Sequence, residues 1–133
     1  MTEPMVTARG LTKVYPAHDG SEKRAVDGID FDCAAGEIFG LLGLNGAGKT
    51  TTQRMLSTAL TPTAGVASIA GYDIVRDPRA VREHIGFLSG TTGLYHRLTA
   101  VEMIRYFGEL HGVRGGELDR RVDELLVTFG IDQ

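Results

Sequence analysis

The residues best equipped for chemistry lie together at Gly43-Leu44-Asn45-Gly46-Ala47-Gly48-Lys49-Thr50. Their spacing is G-x-x-x-x-G-K-[ST], the pattern of a phosphate-binding loop. Gly43, Gly46 and Gly48 carry no Cβ, so the backbone there can curl and turn its N–H groups inward. Together with the positive end of a following helix, those donors make an anion site for the α- and β-phosphates of a nucleotide. Lys49 can reach the β- and γ-phosphates as a mobile point charge, and the Thr50 hydroxyl can ligate Mg²⁺.

Other chemistry-bearing residues are less organised. His18, His84, His96 and His111 are scattered without ligand spacing, which suits solvated or packing roles better than a metal site. Cys33 is the single cysteine, so an internal disulfide is excluded; it suits a reducing compartment and a small apolar filler. Asp123-Glu124 follows Arg120-Arg121-Val122 within a helical stripe and reads as a solvated helix face.

The loop needs a strand before it and a helix after it. Residues 37–42 form a short apolar run that predicts a buried strand, and residues 51–60 predict a helix. Upstream, residues 5–15 predict a strand interrupted near Gly10, and residues 23–34 predict a second strand pairing with it as a meander. Downstream come a turn at 61–65, a strand at 66–70 and a short helix with Asp77 as N-cap and Pro78 in its first turn. A buried strand at 85–88 and a loop at 89–98 follow. Thr99-Ala100-Val101-Glu102 is a capping box heading a helix whose apolar face is Met103, Ile104, Phe107 and Leu110. A last helix at 116–129 carries the stripe Leu118, Val122, Leu125, Leu126 and Phe129, and Gly130 stops it.

Composition sets the frame. With 133 residues, 42% hydrophobic and 23% charged, the chain is expected to be one soluble globular domain. It holds no apolar run near the roughly 18–20 residues a bilayer span needs, and its first residues do not read as a signal peptide. Net charge is −3 and no basic patch stands out, so nucleic acid is not an expected partner. A GTPase would need an Asp-x-x-Gly switch and an Asn-Lys-x-Asp base reader, and neither occurs. No arginine cluster marks the lid of a small-molecule kinase, although the loop alone leaves that class open.

Three stretches narrow the choice: residues 10–15 (GLTKVY), 25–31 (AVDGIDF) and 35–51 (AGEIFGLLGLNGAGKTT). With Thr61-Pro62-Thr63-Ala64-Gly65, Ala70-Gly71-Tyr72-Asp73 and Ile85-Gly86-Phe87-Leu88, they strongly resemble the start of an ABC transporter ATP-binding subunit, in one register along essentially the whole chain. Residues 88–102 are closest in look to the sodium-extruding, Nat-type branch of bacterial exporters; drug and polysaccharide exporters share much of that pattern.

The resemblance implies an α/β fold: a partial P-loop NTPase (RecA-like) core with an antiparallel β subdomain, about 1–98, and the start of a helical subdomain, about 99–133. It implies ATP and Mg²⁺ as cofactors. Tyr15 falls at the position that stacks on adenine, Val26 at an apolar wall beside the base, and Gly43, Asn45, Gly46, Ala47, Gly48, Lys49, Thr50 and Thr51 at the phosphate cradle, with Thr50 on the metal. It implies an integral membrane permease and a second ATP-binding subunit as partners, and a place at the cytoplasmic face of the membrane.

The chain also departs from the family pattern. Gly90 stands where a Gln usually follows the Ile-Gly-aromatic strand, leaving Ser89, Thr91 or Thr92 as the nearby hydroxyls. Leu88-Ser89-Gly90 looks like the start of the family's Leu-Ser-Gly-Gly-Gln signature, but no helix is expected to begin there, and such a signature works by aiming a helix N-terminus. The signature, the acidic strand and the switch histidine are absent from these residues, so the sequence is expected to hold ATP–Mg²⁺ weakly, if at all, without hydrolysing it alone, and to leave a parallel sheet with an open apolar edge. A non-catalytic nucleotide-binding or partner-binding module and a soluble non-transport ABC ATPase are the alternatives.

Overall fold

The computed structural model describes residues 4–17, 19–90, 93 and 95–131. The chain forms two compact units, Met1–Phe87 and Leu88–Gln133, so the loop ahead of Thr99 groups with the helices that follow it.

The first unit is built on an antiparallel sheet in the order β2-β1-β3-β4, with strands β1 (Pro4–Pro16), β2 (Glu22–Ala34), β3 (Ala64–Ile69) and β4 (Tyr72–Asp73). The meander expected of the first two strands is present, and the interruption near Gly10 is a bulge: register shifts between Ala8 and Leu11, so both residues are fully buried three positions apart. Side chains tie the two strands across this irregular stretch. The Gly10 N–H donates to Asp30 Oδ1 at 2.8 Å, and the Gly28 N–H donates to Thr12 Oγ1 at 3.0 Å. β1 pairs with β3 on its other edge, which places it in the middle of the sheet.

Helix α1 (Lys49–Leu56) and helix α2 (Pro78–Glu83) belong to this unit. Met55 from α1 and Val81 from α2 are fully buried, in one cluster with Ala8, Leu11, Val26 and Ala67. Burying large aliphatic and thioether side chains of this kind is worth about 1.5–3 kcal/mol each, which makes this cluster the main anchor of the phosphate loop.

Two expected strands are absent. Residues 37–42 and 85–88 run as irregular chain, and Ile38, Leu42 and Leu88 are 100%, 96% and 87% exposed. Among the described residues there is no parallel strand pair, so the expected parallel sheet is corrected to an antiparallel one. The physical reason is non-local. An apolar run becomes a doubly buried strand only when neighbours bond both its edges and other elements cover both its faces. Phe39 keeps a contact, its ring stacked on Phe31 at 5.1 Å, and Ile85 packs partly against the core cluster.

The second unit holds α3 (Ala100–Leu110) and α4 (Gly115–Phe129). The capping box forms as read: the Glu102 N–H donates to Thr99 Oγ1, and the Thr99 N–H donates to Glu102 Oε2 at 2.8 Å. Arg105 joins Asp119 across the helix pair at 2.6 Å. Leu118 and Val122 are buried, whereas Leu110 and Phe129 remain largely exposed, so the apolar stripes are only partly covered. Glu124 pairs with Arg120, in keeping with a solvated acidic face.

Candidate nucleotide-binding site

The end of β1, the start of β2 and the loop leading into α1 converge on one cleft of about 420 Å³. Its lining is Tyr15, Lys23, Ala25, Asn45, Gly46, Gly48, Lys49, Thr50 and Thr51. Seven residues singled out from the sequence are therefore brought together: Tyr15, Asn45, Gly46, Gly48, Lys49, Thr50 and Thr51.

The local cause is the join between loop and helix. Gly48 is the N-cap of α1 and takes φ +86°, a left-handed conformation that glycine adopts without strain. No side chain caps α1 and no acidic residue sits in its first turn, while Arg54 occupies its last turn. The N–H groups that open the helix are thus left to an anion. Thr52 faces the other way: it is buried, and its hydroxyl donates to the Gly48 carbonyl at 3.0 Å.

Lys49 is pinned above the loop. Its Nζ donates to the carbonyls of Gly43 at 2.7 Å and Leu44 at 2.8 Å. An ammonium has three N–H donors, so one remains for a phosphate oxygen without breaking either contact. Gly43 thereby acts through its carbonyl, and Ala47 shapes the turn by donating its N–H to the Leu44 carbonyl at 3.1 Å; neither lines the cleft.

Val26 does not stand beside the cleft. It is 4% exposed and belongs to the core cluster beneath the loop. A Cβ built on Gly48 would lie 2.9 Å from Val26 Cγ2, so Val26 supports the loop from below. The adjacent Ala25 supplies the apolar wall instead. Ala25 and Lys23 are the lining residues that the sequence reading missed. The pairing places Lys23 directly opposite Tyr15 in the β1–β2 register, and Ala25 is the unpaired residue at the shift between the Val14–Arg24 and Lys13–Val26 pairs.

At the far end of the cleft Tyr15 is 37% exposed. Lys13 Nζ lies 5.3 Å from the centre of its ring and donates to the Thr61 carbonyl at 2.8 Å. A strand aromatic held this way offers a ring face to a planar base. The donor set fits a nucleotide polyphosphate: two lysines, an open helix N-terminus, two threonine hydroxyls and, among the described residues, no carboxylate in the lining. It fits Mg²⁺ as well, since that ion keeps several waters and takes few protein oxygens, here the Thr50 hydroxyl. Of the expected hydroxyls near Gly90, Thr91 and Thr92 lie outside the described residues.

Comparison with known proteins agrees with this geometry. A sequence profile described as ABC transporter matches residues 26–133. The ABC transporter ATP-binding protein NatA of Bacillus subtilis (strain 168) is 43% identical over 109 residues, which is 81% of this chain and 44% of that protein. The daunorubicin resistance ATP-binding protein DrrA3 of Streptomyces coeruleorubidus is 40% identical over 131 residues, 98% of this chain and 40% of that one. The chain therefore spans less than half the length of these relatives. Among solved structures, an ATP-binding subunit of an ABC transporter superposes with a TM-score of 0.74 at 30% identity, covering 92% of this chain and 49% of its own. An ATP-binding cassette solved as a dimer with ADP and Pi gives 0.76 at 25% identity, covering 92% and 56%.

Proposed function

The chain belongs to the ABC transporter family, in its ATP-binding component, and on that premise we propose that it binds ATP–Mg²⁺ in the cleft between Tyr15 and the phosphate loop as part of an exporter's energising subunit. The observation that carries the reading is the convergence of Tyr15, Lys49 and Thr50 on one concavity. In that cleft Tyr15 stacks on the adenine and Ala25 walls the ribose side. The N–H groups of the loop and of α1 hold the α- and β-phosphates, and the third Lys49 N–H takes a β- or γ-oxygen. Thr50 offers its hydroxyl to Mg²⁺, which supplies charge neutralisation on the phosphate oxygens.

The family hydrolyses ATP. Among the described residues that line the cleft there is no carboxylate or histidine to orient water, and the chain alone is proposed to bind without turnover. A steady-state ATPase assay on the purified chain tests this. The expected result is no activity above background; turnover abolished by Lys49→Ala would overturn it.

Coupling to transport belongs to the same proposal. Two such subunits close over ATP at the cytoplasmic face of the membrane and drive a separate permease. The fit to a dimeric cassette supports the pairing. Among the described residues no helix is long and apolar enough to cross a membrane. The 43% identity to NatA supports the sodium-exporting branch, and the 40% identity to a daunorubicin resistance protein supports drug export as the second reading. Sodium and drug efflux, compared between cells with and without the gene, separate the two. Unchanged sodium efflux would remove the first.

A further inference from the structure

The cleft carries a cation that the phosphate loop does not account for. Lys23 lies in β2 directly opposite Tyr15 and lines the same concavity as Lys49. Its basic neighbours are already committed. Arg24 pairs with Asp27 at 2.6 Å, Lys13 donates to Thr61, and Lys49 donates to Gly43 and Leu44. Among the described residues no hydrogen bond or ion pair holds the Lys23 ammonium. No carboxylate among the described residues lines the cleft to offset it. Two lysines lining one concavity repel each other weakly, and a polyanion between them attracts both and more than offsets that repulsion.

We infer that Lys23 is a second cation for the nucleotide's phosphate chain. It stands at the base end of the cleft, beside Tyr15, while Lys49 stands over the loop. A lysine's flexible four-carbon stem lets the ammonium swing from the edge of the base toward the phosphate nearest the ribose. Its contact is therefore with the part of the chain that ADP and ATP share, and it acts as a point charge without demanding a fixed geometry. This inference rests on the ATP-binding reading above and adds to it a residue that the loop motif does not contain.

The test is equilibrium titration of the full chain with ATP and with ADP, in Mg²⁺, at low and at high salt. Lys23→Met and Lys23→Gln are expected to weaken ATP and ADP by the same factor, about three- to tenfold at low salt, the range for one partly screened charge. Both variants should also flatten the salt dependence of binding and leave the thermal midpoint where it is. Lys23→Arg is expected to bind like the unmodified chain, because charge is what is invoked. Equal affinity in Lys23→Met and the unmodified chain, with Lys49→Ala abolishing binding, overturns the role of Lys23 and leaves the ATP site standing. A loss in Lys23→Met that Lys23→Arg does not restore also overturns it. No saturable binding of ATP by the unmodified chain overturns both readings together.

Discussion

Replacing Gly48 by alanine tests whether the phosphate loop is seated on β2 as described. At φ +86° any residue with a Cβ takes on a left-handed strain of about 1–2 kcal/mol. Gly46 has the same φ of +86°, so the strain should be common to both positions. What differs is the space. A Cβ on Gly46 meets nothing within 4 Å, whereas one on Gly48 would lie 2.2 Å from the Ala25 carbonyl oxygen and 2.9 Å from Val26 Cγ2. The first of those contacts is with the backbone of β2, which gives less readily than the end of a flexible side chain, so overpacking adds about 1–3 kcal/mol. Part of each cost is returned because alanine narrows the unfolded ensemble, by about 0.4–1 kcal/mol in either variant. The expected result is that Gly48→Ala destabilises the first unit by about 2 kcal/mol more than Gly46→Ala does. In urea unfolding followed by circular dichroism, that is a difference in midpoint of about 1–2 M for a domain of this size. Equal midpoints for the two variants would refute the seating of Gly48 against Ala25 and Val26.

Further outcomes follow from the same geometry. Tyr15→Ala should weaken ATP binding by about 1–3 kcal/mol while Tyr15→Phe leaves it nearly unchanged, since the ring face is what stacks; equal loss in both variants would refute stacking. Asp73 Oδ1 accepts the N–H groups of Arg76 and Val75, which hold its carboxyl below the usual range, the Arg76 bond contributing most. A depressed carboxylate contributes stability that is present above its unfolded pKa of about 3.9 and is lost as pH falls through the lower folded value. Asp73→Asn should therefore lower stability at pH 7 by about 1 kcal/mol or less and remove part of the acid-side slope below about pH 4. An unchanged acid slope, read from urea midpoints across pH, would count against it.

What the sequence showed depended on how local each feature is. The Gly43–Thr50 spacing, the Thr99–Glu102 box, the Asp77-Pro78 start and the Gly130 stop involve residues a few positions apart, and each stands where it was expected. Ile38, Leu42 and Leu88 show the opposite case. Their apolar run signals burial, but only non-local partners can provide it, and the pairing that β1 finds is with β2 and β3 instead. Val26 lies beneath the loop for a related reason. Register shifts on either side of Lys13 change which face each residue of the β1–β2 pair presents, and alternation along one strand cannot reveal a bulge in its neighbour. Lys23 was missed because its importance comes from standing across from Tyr15, a fact of register that no single-strand pattern records.

The central claim is that the cleft from Tyr15 to Thr51 holds ATP through the loop lysine. Its most direct test is an isotherm of ATP–Mg²⁺ binding to the chain, measured beside Lys49→Ala. The account expects saturable 1:1 binding that Lys49→Ala abolishes while the thermal midpoint of the free protein stays close to that of the unmodified chain. No saturable binding, or binding of equal strength in Lys49→Ala, would contradict it.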